Sequence, residues 1–221
     1  MSERIYKALL KSFSRRSRRK KFDFFGKVFD PRPDDRVLDV GASGQPFTGY
    51  TFEDHYPYDE RIVAGGVDPR EIRDAQRLYP SVLYSMFDGR LLPFRDKSFD
   101  IVFSNAVIEH IIGGDQQEQF AREIMRVGRS WFVTTPNYWF PFESHYHLPF
   151  IQFMPREIQR RYNRMFGTAI AKGTVQDLAL LSARRLQRLF PTSRIARMRV
   201  TLWPETLVAY SVDPERFRVS G

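Results

Sequence analysis

The stretch Arg36-Val-Leu-Asp-Val-Gly-Ala-Ser-Gly-Gln45 places one carboxylate, Asp39, directly before a turn of small residues. Gly41, Ala42, Ser43 and Gly44 let main chain approach a bound molecule closely. In an open α/β sheet, ligands sit outside the carboxyl ends of the strands, where such a turn lies. Two further apolar runs end in acids: Ile62 to Asp68 and Val82 to Asp88. A carboxylate at a strand end can accept the hydroxyls of a ribose, as it does in dinucleotide folds. Each acid also has a purely structural reading. Asp68 precedes Pro69, the pattern of a helix N-cap followed by a favoured first helical residue. Asp88-Gly89 is a common turn dipeptide.

The four histidines are His55, His110, His145 and His147. Glu109-His110 follows a fourth apolar run, Ser98 to Asn105. His110 is a candidate general base and Glu109 its assistant, or the two anchor a loop. His145 and His147 lie on one face if that segment is extended. They are candidates for contact with a substrate, but two residues do not make a metal site. The segment Tyr138-Trp-Phe-Pro-Phe142, with Tyr146, is the densest aromatic cluster. It either packs an insertion onto the core or closes a pocket, with Trp139 as a substrate contact. Asn137, just before it, can orient a substrate group.

The elements that must position these residues follow from hydrophobic patterning. Strands are expected near 36–40, 62–67, 82–86, 99–104 and 130–135, and helices near 70–79 and 116–127. Residues 1–30 form a basic helical arm that Pro31 terminates. The segment 138–190 is an aromatic and basic insertion ending in an amphipathic helix over 176–190. Two closing runs, 194–202 and 206–211, form an antiparallel hairpin. The expected architecture is α/β: a Rossmann-like, mostly parallel seven-stranded sheet with a C-terminal antiparallel hairpin and helices on both faces. Residues 31–221 form one domain. Thr48 to Glu60 is odd, being rich in aromatics and lacking a helical period.

The order of glycine turn, acid-tipped strands and fourth strand resembles the class I S-adenosylmethionine-dependent methyltransferases. The likeness is greatest to the type-11-like, bacterial small-molecule branch. Tyr56-Pro57, Thr135-Pro-Asn-Tyr-Trp-Phe-Pro141 and Trp203-Pro204 resemble a variant of that branch. The resemblance implies S-adenosylmethionine as cofactor. It implies Asp68 for the ribose, and Asp88 with Gly89 for the adenine. Asp39, Gly41, Ser43, Gly44 and Asn105 would face the methionyl end. The glycine loop departs from the family pattern, because Ser43 and Gln45 replace alternate glycines. No metal is implied, since Ala106 stands where some relatives carry a metal-binding acid.

Composition limits the alternatives. There is no cysteine, so disulfide frameworks and thiolate metal sites are excluded. No apolar run reaches the length of a spanning helix, and the basic N-terminus lacks the core of a secretory signal. A cytoplasmic protein, peripheral to the inner face of the membrane, is expected. The net charge of +9 is concentrated in Lys11 to Lys21, Arg156 to Arg164 and Arg184 to Arg199. Such patches suit anions: an acidic membrane surface through residues 11–21, or, less favoured, RNA. No Asn-Pro-Pro-Tyr run follows strand four, which argues against base methylation. Gly-x-Gly-x-x-Gly is absent, which argues against a nicotinamide dehydrogenase. The expected reaction is methylation, at oxygen, of a small or lipid- or sugar-linked acceptor. RNA methylation and a binding protein without catalysis are the alternatives.

Overall fold

The computed structural model describes residues 3–42, 51–143, 148–166 and 178–217. Its centre is a seven-stranded sheet in the order β3-β2-β1-β4-β5-β9-β8. The strands are β1 (Val37–Val40), β2 (Ile62–Gly66), β3 (Leu83–Met86), β4 (Phe99–Asn105), β5 (Gly128–Pro136), β8 (Arg194–Met198) and β9 (Thr206–Ser211). β1 to β5 pair in parallel, and β9 runs antiparallel to both β5 and β8. The sheet is the one expected from patterning. A two-stranded ribbon, β6 (Phe142–Glu143) with β7 (Leu148–Pro149), lies within the insertion.

Both faces of the sheet are apolar, as parallel strands covered on two sides must be. Leu38, Val40, Val102, Trp131, Val133, Leu207 and Ala209 face one side with α3 (Gly114–Val127) and α5 (Ala183–Leu189). Val37, Ile101, Phe103, Phe132 and Val208 face the other. That second face is covered by α1 (Glu3–Phe29), through Phe22, Phe25 and Phe29, and by Phe52 and Tyr56. α2 (Pro69–Leu78) joins β2 to β3 and buries Ile72 and Ala75.

This packing accounts for the aromatic, aperiodic segment before β2. Among its described residues, 51–60, there is no α-helix. Phe52 lies flat on Phe103, with centroids 4.0 Å apart and planes within 14°. Phe25 meets Phe52, Phe103 and Phe132 edge-on. The C-terminal half of α1 therefore fills the face that a helix between β1 and β2 would otherwise cover.

The amphipathic helix expected over 176–190 is shorter, and residues 176–177 lie outside the described residues. α5 begins at Ala183, capped by Ser182, whose hydroxyl accepts from the Arg185 N–H. The residues before it are extended and paired. Ala179 N–H donates to Glu109 O at 2.7 Å and Tyr138 N–H to Leu181 O at 3.0 Å. Those backbone bonds compete with helix and win. A buried ion pair closes the far end of the molecule. Arg216 chelates Asp35, with Nη1 2.6 Å from Oδ1, and its Nε donates to Phe29 O at 2.6 Å.

Candidate active site

The strand order reverses between β1 and β4, whose following connections lead to opposite sides of the sheet. Crevices for ligands form outside the carboxyl ends of strands at such a point. There Gly41 turns with φ 94°, and a Cβ on it would lie 2.2 Å from Val107 Cγ2. A side chain is barred twice, by the left-handed backbone and by the loop after β4. The N–H groups of Gly41 and Ala42 donate to Gly65 O at 2.8 and 3.1 Å. These bonds tie the start of the small-residue turn to β2. Ala106, just past β4, holds φ 59° without being glycine. Such backbone persists only where its surroundings over-determine it.

Three acids stand along this edge. Asp68 is exposed at the tip of β2, and its Oδ1 caps α2 by accepting from Arg70 N–H at 2.8 Å. Asp88 lies in a turn beyond β3 and accepts from Arg90 N–H at 2.9 Å. Arg90 Nε is 3.0 Å from each of its oxygens. Those hydrogen bonds hold the Asp88 carboxyl below the usual carboxylate range. Gly89 beside it leaves room for Phe120, which a Cβ would meet at 2.6 Å. Asp39 is buried on the α1 face of β1, facing Glu53. Burial pushes its carboxyl well up, and the charge of Glu53 pushes it further. Burial also raises Glu53, against the hydrogen bond that Tyr84 Oη donates at 3.1 Å.

Next to this crevice, at the ends of β4 and β5, lies a cavity of about 350 Å³. Asn105, Ala106 and Thr134 to Asn137 form its floor, and Phe140 and Phe142 form part of its wall. α1 forms the roof through Phe13, Ser14, Ser17, Arg18 and Lys21. Lys21 is 9% exposed, and its Nζ donates to Asn105 Oδ1 at 2.7 Å. Thr134 Oγ1 donates to the same oxygen at 2.8 Å, which fixes how the Asn105 amide is turned. Burial lowers the Lys21 ammonium to about 8, helped by Arg18 and opposed by Glu109 and Glu205.

Residues 38–130 match the sequence model of a family described as a methyltransferase domain. That match takes in less than half of the chain, from β1 to the start of β5. Magnesium protoporphyrin IX methyltransferase from Synechocystis PCC 6803, solved with bound SAH, superposes with a TM-score of 0.59 at 9% identity. That match covers 91% of this chain and 84% of the other. PH0226 from Pyrococcus horikoshii gives 0.58 at 17% identity, covering 88% and 89%. These likenesses are ones of fold. In sequence, MT1557 and Rv1509, uncharacterized proteins of two Mycobacterium tuberculosis strains, are each 36% identical over 69 residues. The match takes in 31% of this chain and 23% of theirs, so the chain spans about a quarter of those relatives.

The matched region has side chains that fit the cofactor of the family it resembles. An exposed carboxylate tips β2, an ionised one follows β3, and the turn after β1 admits no side chain at Gly41. Ser43 and Gly44 lie outside the described residues, as do His145 and His147. Asn105 stands between crevice and cavity. Asn137 lines the cavity, but its amide is spent on the chain: Nδ2 donates to Pro204 O at 2.8 Å and Oδ1 accepts from Trp139 N–H at 3.2 Å. Trp139 is 62% exposed, packs with Tyr138 and Phe153, and does not line the cavity.

Glu109 and His110 part company. Glu109 is fully buried behind the cavity wall and accepts from Thr135 Oγ1 at 3.0 Å. His110 is exposed and is not brought to the cavity. The residue that sequence reasoning missed is Lys21, grouped there with the surface charges of the arm. A signal existed. Phe13, Ser17, Lys21, Phe25 and Phe29 recur every four residues on one helical face. A lysine within an inward stripe is a buried lysine.

Proposed function

We propose that this domain binds S-adenosylmethionine in the crevice at β1, β2 and β4 and catalyses transfer of its methyl group to an oxygen of a small or lipid- or sugar-linked acceptor. The observation that carries the reading is the adjacency of crevice and cavity across Asn105 and Ala106. Asp68 would take the ribose, and Asp88 with Gly89 the adenine. Asp39 and the turn from Gly41 through Ser43 and Gly44 would hold the methionyl end. The cofactor supplies a sulfonium-activated methyl group. The chain supplies orientation, which accounts for much of the acceleration when two reactants are held in line. The cavity roof formed by α1 excludes water from the acceptor. Asn137 and Thr135 shape the floor, with Glu109 supporting Thr135 from behind.

One feature favours a lipid-linked acceptor. The outer face of α1 carries Arg15, Arg16, Arg19 and Lys20, all exposed. Trp139, Phe150, Phe153, Leu202 and Trp203 are exposed on segments that border the cavity or the loop beside it. Basic side chains near an anionic leaflet contribute about 1 kcal/mol each, and aromatic side chains suit its interface. The contact would be peripheral, since no helix among the described residues is long and apolar enough to cross a membrane.

The deciding experiment is calorimetric titration with S-adenosylmethionine and S-adenosylhomocysteine. Micromolar binding is expected. Absence of binding at millimolar ligand would overturn the reading and leave a protein with the fold but without the function.

A further inference from the structure

Lys21 is an amine buried at the edge of a cavity. Its side-chain nitrogen has left water and donates to Asn105 Oδ1 at 2.7 Å. Leucine or methionine would fill the same volume without the desolvation cost. The side chain instead projects from α1 into a cavity whose other polar lining includes Arg18, Asn105, Glu205, Ser17, Thr134 and Thr135. Phe13, Phe140, Phe142, Pro136 and Leu180 supply apolar walls, with the Phe13 and Phe140 rings nearly parallel and their centroids 6.5 Å apart. At about 30 Å³ per water-sized group, the cavity holds about a dozen non-hydrogen atoms.

We propose that this cavity is a phenol site in which Lys21 Nζ receives the phenolic proton and holds the resulting phenolate beside Asn105. The inference rests on the methyl-transfer reading for its consequence, though not for its geometry. A neutral lysine keeps two N–H bonds and one lone pair. One N–H serves Asn105, and the lone pair accepts the proton. Phenol O–H and lysine NH2 become phenolate and lysine NH3+, with no other reactant. The phenolate is the nucleophile: its new O–C bond forms as the methyl donor's S–C bond breaks, and the ammonium later returns its proton to water.

The chemistry selects the phenol. The charged groups around Lys21 are Arg18 on its own helix, Glu109 from the turn after β4, and Glu205 at the start of β9. Together they leave the site close to neutral, which disfavours a phosphate or a dicarboxylate. Burial holds the amine near 8. A phenol at about 10 gives up its proton to such a base with a roughly hundredfold disadvantage. An alkyl alcohol, far less acidic than a phenol, faces a disadvantage several orders of magnitude larger. The base is matched to the first and useless for the second.

The probe is 4-nitrophenol, whose anion is yellow, titrated into the full chain and followed by absorbance against pH. Wild type should lower the ionisation midpoint of bound nitrophenol by about one to three pH units, as an opposite charge at close range does. Lys21→Met should abolish that change and weaken phenolate binding at least about tenfold. Ser17→Leu, which fills the cavity from α1 and keeps Lys21, should displace the probe. Thermal melts of all three proteins report that each is folded. An unaltered midpoint in wild type, or the same change in Lys21→Met, overturns the phenol site. Full probe binding by Ser17→Leu places the phenol elsewhere and overturns it too. Loss of S-adenosylhomocysteine binding in wild type strikes the methyl-transfer reading alone, because the nitrophenol titration needs no cofactor.

Discussion

Asp68 has two duties that a pair of substitutions separates. Its Oδ1 accepts from Arg70 N–H at 2.8 Å and so caps α2. In the proposed complex the same carboxylate accepts the ribose hydroxyls. Asn caps a helix about as well as Asp, whereas Ala forfeits about 1 kcal/mol. In a chain of this size that is about 2 to 4 °C in melting temperature. Hydrogen bonds to a charged group contribute about 1.5–3 kcal/mol each. Asp68→Asn keeps one acceptor oxygen and loses the charge, so cofactor affinity should fall about ten- to hundredfold at nearly unchanged melting temperature. Asp68→Ala should lose both affinity and stability. Calorimetry with S-adenosylhomocysteine and thermal melts of the three proteins measure the two quantities separately. If Asp68→Asn binds as wild type does while Asp68→Ala merely melts earlier, Asp68 is a helix cap and the ribose assignment fails.

Two further outcomes follow from the buried charges. Asp39 and Glu53 both have carboxyls raised by burial, so the folded protein holds protons that the unfolded chain releases. Their contribution to stability is complete below the ordinary carboxylate values of 3.8 and 4.5 and is lost as pH rises through the folded-state values. Glu53→Gln should therefore be more stable than wild type at about pH 8, with the advantage shrinking toward about pH 4. Urea melts across that range check it, and a difference independent of pH would refute the acid pair. Separately, Asp35→Ala should cost about 3–5 kcal/mol by leaving Arg216 buried and unpaired. Arg216→Met in the same chain should recover most of the loss; a single-variant cost near zero would show the pair to be idle.

Much of the fold was legible because its strands are buried on both faces. Val37 to Val40, Ile101 to Phe103 and Trp131 to Val133 are apolar runs bounded by turns, and they became strands within two residues of expectation. Asp68 stands where β2 stops facing core, whereas Asp88 follows β3, a mostly exposed edge strand. The α5 boundary was not. The Leu178, Leu181, Leu186 and Leu189 spacing fits a helix, but Glu109 and Asn137 recruit the backbone of 179–181 first, and no local pattern reports a long-range hydrogen bond.

The cavity under α1 was least legible, and the reason lies in that helix. Its eleven-residue basic run looks like a single patch when read along the chain. Wound at 3.6 residues per turn, it separates into two surfaces. Arg15, Arg16, Arg19 and Lys20 turn outward, while Ser14, Ser17 and Lys21 turn onto the cavity. What sends Lys21 inward is the anchoring of the same helix two turns later, by Phe25 and Phe29 against Phe132. The Arg216–Asp35 pair then fixes the helix end through Phe29 O. The orientation of the cavity's one buried lysine, among the described residues, is thus set by contacts at the C-terminal end of the same helix. Weakening those contacts, as in Asp35→Ala, should disturb the cavity under α1 before it disturbs the crevice beside Gly41. The crevice is held by β1, β2 and β4, which the sheet itself secures.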